Sequence, residues 1–222
     1  MTSTKAAALL AAVIAVGGHA GYAARQSAVE HQPAMASFDC AKATAAGETL
    51  VCGDAQLARL DVELARLYQL AREAPQLEAG QRNELEASQR VWIRGRDDCW
   101  KADDRRQCVA DTYVLRIHEL RQNYVGTKTA DPAGISTGPF ISRCQGLNEL
   151  VSTHFVNVEP PMVSLLWLDT YALVLTAGPG ASGRRYARKY EDGEYVYWEK
   201  GDEALFQAPG RRDAVCRITE SN

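Results

Sequence analysis

The sequence predicts an α+β protein built as two separate domains, a helical one followed by a small antiparallel β-barrel or sandwich. Three observations carry this. Apolar residues recur at three- and four-residue steps between Ser37 and Tyr124. From Phe140 onward the pattern becomes short β-branched and aromatic runs separated by turn residues. Between them, Val125–Pro139 is rich in Gly, Pro, Thr and Ser without periodicity, which reads as a linker.

The chain has 222 residues, 46% hydrophobic and 24% charged, so it is long enough to bury a core and is not disordered by composition. Lys and Arg number 25 against 28 Asp and Glu, a formal net charge of −3. That near-balance gives no global field and argues against a general nucleic-acid binder.

The N-terminus reads as a leader. Lys5 precedes an apolar run, Ala6–Val16, that is too short for the ~20 residues of a spanning helix. Small residues, Gly21 and Ala23, close it, so residues 1–23 are expected to be a secretory signal peptide cut after Ala23. A frayed amphipathic N-terminus is disfavoured because Ala6–Val16 has no polar face. The first cysteine is Cys40, so no lipid-bearing cysteine stands at the cut. Residues 24–36 read as a tether. The expectation is an exported, periplasmic or secreted protein without stable membrane insertion, in a compartment that permits disulfides.

In the helical domain, residues 37–124, Asp54 is a good N-cap. Leu57, Leu60, Leu64, Leu67 and Ala71 then form one stripe, and Pro75 breaks the helix. A second helix spans roughly Leu77–Asp98, with Leu85, Trp92 and Cys99 in line. Cys108 opens a third, striped by Val109, Tyr113, Ile117, Leu120 and Tyr124. The many charged residues are assigned to solvated faces.

In residues 140–222, strands are expected near Leu150–Val158, Val163–Leu168, Tyr171–Thr176, Arg184–Lys189, Tyr195–Glu199, Ala204–Gln207 and Ala214–Ile218. Pro160-Pro161, Asp169-Thr170, Asp192-Gly193 and Pro209-Gly210 mark the turns. Cys144 and Cys216 stand near the two ends and could staple them together.

Catalytic machinery is hard to find. His19 lies in the leader, His31 in the tether, His118 in a helix and His154 in a strand. Metal-ligand spacings and H-E-x-x-H are absent. Gly178–Gly183 satisfies G-x-G-x-x-G, but strand-like residues follow it where a dinucleotide site needs a helix. The neighbouring carboxylates Asp97-Asp98, Asp103-Asp104, Glu191-Asp192 and Asp202-Glu203 read as solvated turns, not as a pair facing across a cleft.

What remains is a polar rim. Ser182 sits in a glycine-rich tip, followed by Arg184, Arg185, Arg188 and Lys189. A hairpin turning at Asp192-Gly193 would bring Ser182 beside Lys200. A hydroxyl and an ammonium on a protruding rim suit insertion into an acidic cleft, although spacing alone favours an ordinary solvated hairpin end.

Two sets of residues carry resemblances. Ser182-Gly183-Arg184-Arg185-Tyr186 is similar to the S-G-x-x-Y motif of the MliC/PliC inhibitors of c-type lysozyme. Trp198-Glu199-Lys200-Gly201-Asp202-Glu203-Ala204 is similar to their W-x-K-G-x-E-A motif. The likeness covers about Phe140–Ile218 and implies an eight-stranded antiparallel barrel. It also implies that Ser182 and Lys200 enter the lysozyme cleft, with Gly183, Arg184, Arg185 and Tyr186 around them. Gly180 and Ala181 stand where family members often carry a further serine. The first domain resembles the LprI-type domain through Phe38-Asp39-Cys40, Val51-Cys52, Gln89-Arg90-Val91-Trp92, Arg96-Asp97-Asp98-Cys99 and Cys108. That family includes a lipoprotein described as a lysozyme inhibitor and many members without assigned activity.

Together these imply a secreted or periplasmic inhibitor whose partner is a c-type lysozyme, with no catalysis, cofactor or metal of its own. The alternative is a cell-envelope module that binds another protein or wall glycan; a wall hydrolase is disfavoured for want of a facing acid pair. For the cysteines, Cys144–Cys216 is expected in the barrel. An antiparallel hairpin of the first two helices favours Cys52–Cys99, leaving Cys40–Cys108, among three pairings the sequence allows.

Overall fold

A computed structural model of the chain describes residues 35–128, 133–167, 171–179 and 182–221. The leader, most of the tether, His19, His31, Gly180, Ala181 and the Asp169-Thr170 turn lie outside these residues.

The described helices are α1 (Ala46–Gly53), α2 (Ala55–Glu73), α3 (Ala79–Asp97) and α4 (Arg105–Asn123). The sequence stripes account for three of them, and α1 is additional. The Asp54 carboxylate accepts from the Leu57 amide at 2.9 Å, capping α2. Leu57, Leu60, Leu64, Leu67 and Ala71 are all buried along it. Asp104 caps α4 in the same way, through the Gln107 amide at 2.9 Å. α3 is the least buried of the three long helices. It buries Leu85 and Arg96, and its Trp92 indole donates to the Thr112 carbonyl at 2.9 Å.

The eight strands among the described residues are β1 (Ser136–Cys144), β2 (Leu150–Val156), β3 (Met162–Trp167), β4 (Tyr171–Ala177), β5 (Arg184–Tyr190), β6 (Gly193–Lys200), β7 (Glu203–Gln207) and β8 (Ala214–Glu220). Each pairs antiparallel with the next, and β8 pairs with β1 to close the barrel. Residue patterns alone mark seven; the eighth is β1, disguised by the bulge around Gly138-Pro139. Val151, Val163, Leu165, Leu175, Tyr186, Tyr197 and Phe206 fill the interior. The β4–β5 ladder is short, with Thr176 opposite Ala187 and Ala177 opposite Tyr186. Beyond it the Tyr190 hydroxyl accepts from the Val174 amide and donates to the Val174 carbonyl, both at 3.0 Å, standing in for a neighbouring strand.

Cys144 and Cys216 are bonded and stand opposite each other on β1 and β8. The expected pairing in the helical region is corrected: the bridges are Cys40–Cys52 and Cys99–Cys108. Both are local. α1 carries Cys52 back beside the single turn Cys40–Lys42, and a second single turn, Asp98–Lys101, swings Cys99 toward the start of α4.

Helices and strands stay segregated but share an interface. Val156, Val158, Met162 and Val174 belong to the same apolar cluster as the helical core. α4 is therefore buried on two sides, against α2 and α3 on one and against the barrel on the other. On the barrel side His118 makes two contacts, Nδ1 with Ser164 Oγ at 2.9 Å and Nε2 with Ser152 Oγ at 3.1 Å. Arg121 donates to the Ser136 hydroxyl and carbonyl at 2.7 and 2.6 Å. Further along, Arg188 of β5 reaches Asp111 of α4 at 2.6 Å. Among the described residues, no helix is long and apolar enough to cross a membrane.

Candidate functional site

The β5–β6 hairpin builds the site. Its register sets Arg184 opposite Glu199, Arg185 opposite Trp198 and Tyr186 opposite Tyr197. The ends away from the turn therefore meet: Ser182-Gly183 leads into β5 and Lys200-Gly201 leaves β6. Gly183 has φ +70°, and a Cβ there would stand 2.3 Å from the Glu199 carbonyl oxygen and 2.7 Å from Lys200 Cγ. Only glycine permits so close an approach. Gly201 also has a positive φ, +68°, which turns the chain sharply after Lys200.

The structure thus seats the Ser182-Gly183 tip against the stem of Lys200. Trp198 supplies the brace. Its indole N–H donates to the Ser182 carbonyl at 2.9 Å, and the Lys200 ammonium lies 4.2 Å from its ring centroid. A cation over an indole face is an attractive placement. Ser182 and Lys200 are exposed, and among the described residues Lys200 forms no ion pair.

The other candidate residues divide by position. Tyr186 is fully buried in the barrel, its ring 5.9 Å from that of Phe155, so it supports the rim from within. Burial pushes its hydroxyl pKa up, and nearby Arg184 pulls it back. Burial likewise raises the Glu199 carboxyl, opposed by Arg184. Arg184 itself is exposed at the rim. Arg185 lies 3.5 Å from Glu194. Arg188 is committed to Asp111 and is not part of the rim.

Residue patterns did not single out Trp198. The available signal was the two-residue step from Trp198 to Lys200, which puts both on one face of a strand. A strand follows the Gly178–Gly183 segment, so no helix N-terminus is there to hold a pyrophosphate. Among the described residues, no three His, Cys, Asp or Glu side chains gather as a metal site.

Comparison with known proteins bears on both halves. Residues 143–214 match the family described as membrane-bound lysozyme-inhibitor of c-type lysozyme. Residues 40–120 match the family described as lysozyme inhibitor LprI. Lipoprotein LprI of Mycobacterium bovis is 32% identical over 184 residues, covering 82% of this chain and 84% of the relative. Lipoprotein LprI of Mycobacterium tuberculosis, in strains CDC 1551 and H37Rv, matches to the same extent. No solved structure matches the chain significantly.

Proposed function

The chain belongs to the family of lipoprotein LprI, and from that premise we propose that it is an exported inhibitor of c-type lysozyme that obstructs the enzyme's cleft with Ser182 and Lys200. No bond is made or broken by the inhibitor. The target cleft holds paired carboxylates, and a cation placed between them answers their charge. Lys200 supplies that cation and Ser182 a neutral hydroxyl beside it. Arg184 and Arg185 add attraction at the margin, and Tyr186 holds β5 from inside.

The observation that carries this reading is the bracing of the pair. Gly183 packs on Lys200, and Trp198 touches both the Ser182 carbonyl and the lysine. A rim organised before binding loses little conformational entropy when a partner arrives. Export is supported by the leader-like residues 1–23 and by three disulfide bridges.

The test is the inhibition constant of purified Lys200→Ala and Ser182→Ala against a c-type lysozyme. Lys200→Ala should weaken inhibition by roughly 2–4 kcal/mol, as expected for losing one partner of a desolvated charge pair. Ser182→Ala should cost about 0.5–1.5 kcal/mol. Both should keep the wild-type circular dichroism, because both side chains are exposed. Full potency in the double variant would rule out this rim, and no inhibition by the wild type would rule out the function.

A further inference from the structure

The barrel has two outer walls that carry apolar side chains, and they are treated differently. On one, Val156, Met162 and Val174 lie under the helical region. On the other, the register aligns Trp198 with Leu205 and Leu205 with Val215 across β6, β7 and β8. These three point outward, alternating with the interior residues Tyr197, Ala204, Phe206, Ala214 and Cys216. Val215 is 46% exposed. A groove runs along this row, lined by Trp198, Leu205 and Val215 together with Lys200 and Glu203.

We infer that this groove is the second half of the inhibitory surface and receives an apolar side chain from the lip of the lysozyme cleft. The inference rests on the function proposed above. Lys200 belongs to both features: it lines the groove, and its ammonium lies over Trp198. A protein that brings a carboxylate to Lys200 must therefore lie across the groove mouth. The surroundings have the anatomy of a protein interface, an apolar centre bordered by charge. Glu203 stands opposite Lys200, and Arg217 pairs with Asp202 at 2.7 Å along the same border. The rim cation complements the anionic cleft, and the apolar row beside it excludes water from that contact.

The experiment compares four full-length exported proteins: wild type, Lys200→Ala, Leu205→Asp and Val215→Asn. Each inhibition constant is measured against a purified c-type lysozyme, with circular dichroism and sedimentation alongside. Leu205→Asp should weaken inhibition at least about tenfold, as for a hot-spot position, and Val215→Asn several-fold. Val215→Asn stands at an exposed position and keeps the test open if Leu205→Asp folds poorly. Wild-type potency in a folded groove variant, with Lys200→Ala impaired, overturns the groove and leaves the rim intact. A groove substitution that dissociates a wild-type dimer without changing inhibition assigns the surface to a second copy of the chain and also overturns it. Absence of inhibition by the wild type is a separate outcome, because it removes the proposed function itself and the groove with it.

Discussion

At Gly183 the backbone and the site make the same demand. Its φ is +70°, and a Cβ there would stand 2.3 Å from the Glu199 carbonyl oxygen, which leaves no room for a methyl group. Gly183→Ala should lower stability by about 1–3 kcal/mol, the usual scale of a non-glycine residue forced into such a conformation. It should also push the Ser182 tip off Lys200, so inhibition falls further than stability does. Urea denaturation and the inhibition constant, measured on one preparation, separate the two effects. Trp198 is the complementary case. Trp198→Phe keeps a ring beneath the ammonium but loses the bond to the Ser182 carbonyl; Trp198→Leu loses both. Inhibition should decline in that order. In a double-mutant cycle with Lys200→Ala, the Trp198→Leu effect should shrink, since part of it acts through the lysine.

Among the elements, α4 explains most of what the sequence left unread. Its inner stripe, Val109, Tyr113, Ile117 and Leu120, is legible because Leu, Ile and Val at helical spacing have one plain meaning. Its outer face is not, because docking there uses His118 and Arg121, residue types that spacing assigns to solvent. Both are buried, at 4% and 1% exposure, and they find hydroxyl and carbonyl partners on strands that the sequence cannot place beside them. The helical disulfides were misread for a related reason. The short helix α1 has too weak a stripe to be seen, and without it Cys52 falls at the start of α2. The rim was more legible, since a hairpin's turn fixes which residues share its far end. Trp198 was missed because its role depends on a loop carbonyl.

The same interface makes an acid-dependence prediction. His118 and His154 lie tilted at 45° with ring centroids 3.9 Å apart, and among the described residues neither nitrogen of the His154 ring has a hydrogen-bond partner. Burial lowers the His118 pKa to about 4; burial, then His118, then Arg121 lower that of His154 to about 2. Folding therefore favours the neutral rings. The stability they contribute is complete above the unfolded value near 6.5 and is lost progressively as pH falls toward these folded values. The slope should approach 1.4 kcal/mol per pH unit for each histidine between about pH 6 and 4. His154→Leu removes one proton from that balance without breaking a hydrogen bond. Chemical denaturation at pH 7.5, 6 and 5 should show a shallower loss for the variant; equal slopes would reject the assignment.

Over the whole molecule, the barrel depends on its neighbour for cover. A fragment beginning at Phe140 would lack Ser136–Pro139 of β1 and bare the wall carrying Val156, Met162 and Val174. Exposed apolar area of that kind lowers stability and invites association. Such a fragment should melt below one beginning at Ala133, and both below the intact chain, with self-association visible by size-exclusion chromatography. Calorimetry of the three proteins tests the order. Reducing Cys144–Cys216, which spans 72 residues, should lower barrel stability by roughly 4 kcal/mol. The local bridges, spanning 12 and 9 residues, should matter less, about 3 kcal/mol each.

The Tyr190 hydroxyl beside Val174 gives the barrel a preferred line of opening. A cylinder of strands is only as tight as its loosest seam. One seam, β1–β8, is laced by a covalent bond, while β4–β5 is laced at one end by two residue pairs and farther along by a single phenol. Brief excursions from the native state should unzip there first, from the Glu191-Asp192 end, and the Arg188–Asp111 clasp to α4 lies where it restrains them. Amide hydrogen exchange would display this as a gradient. Protons along β5 and β4 should be replaced sooner than those along β1 and β8, and Tyr190→Phe should hasten the Val174 amide in particular. The rim stands at the well-laced end of this seam, so the barrel can breathe without disturbing the residues it presents.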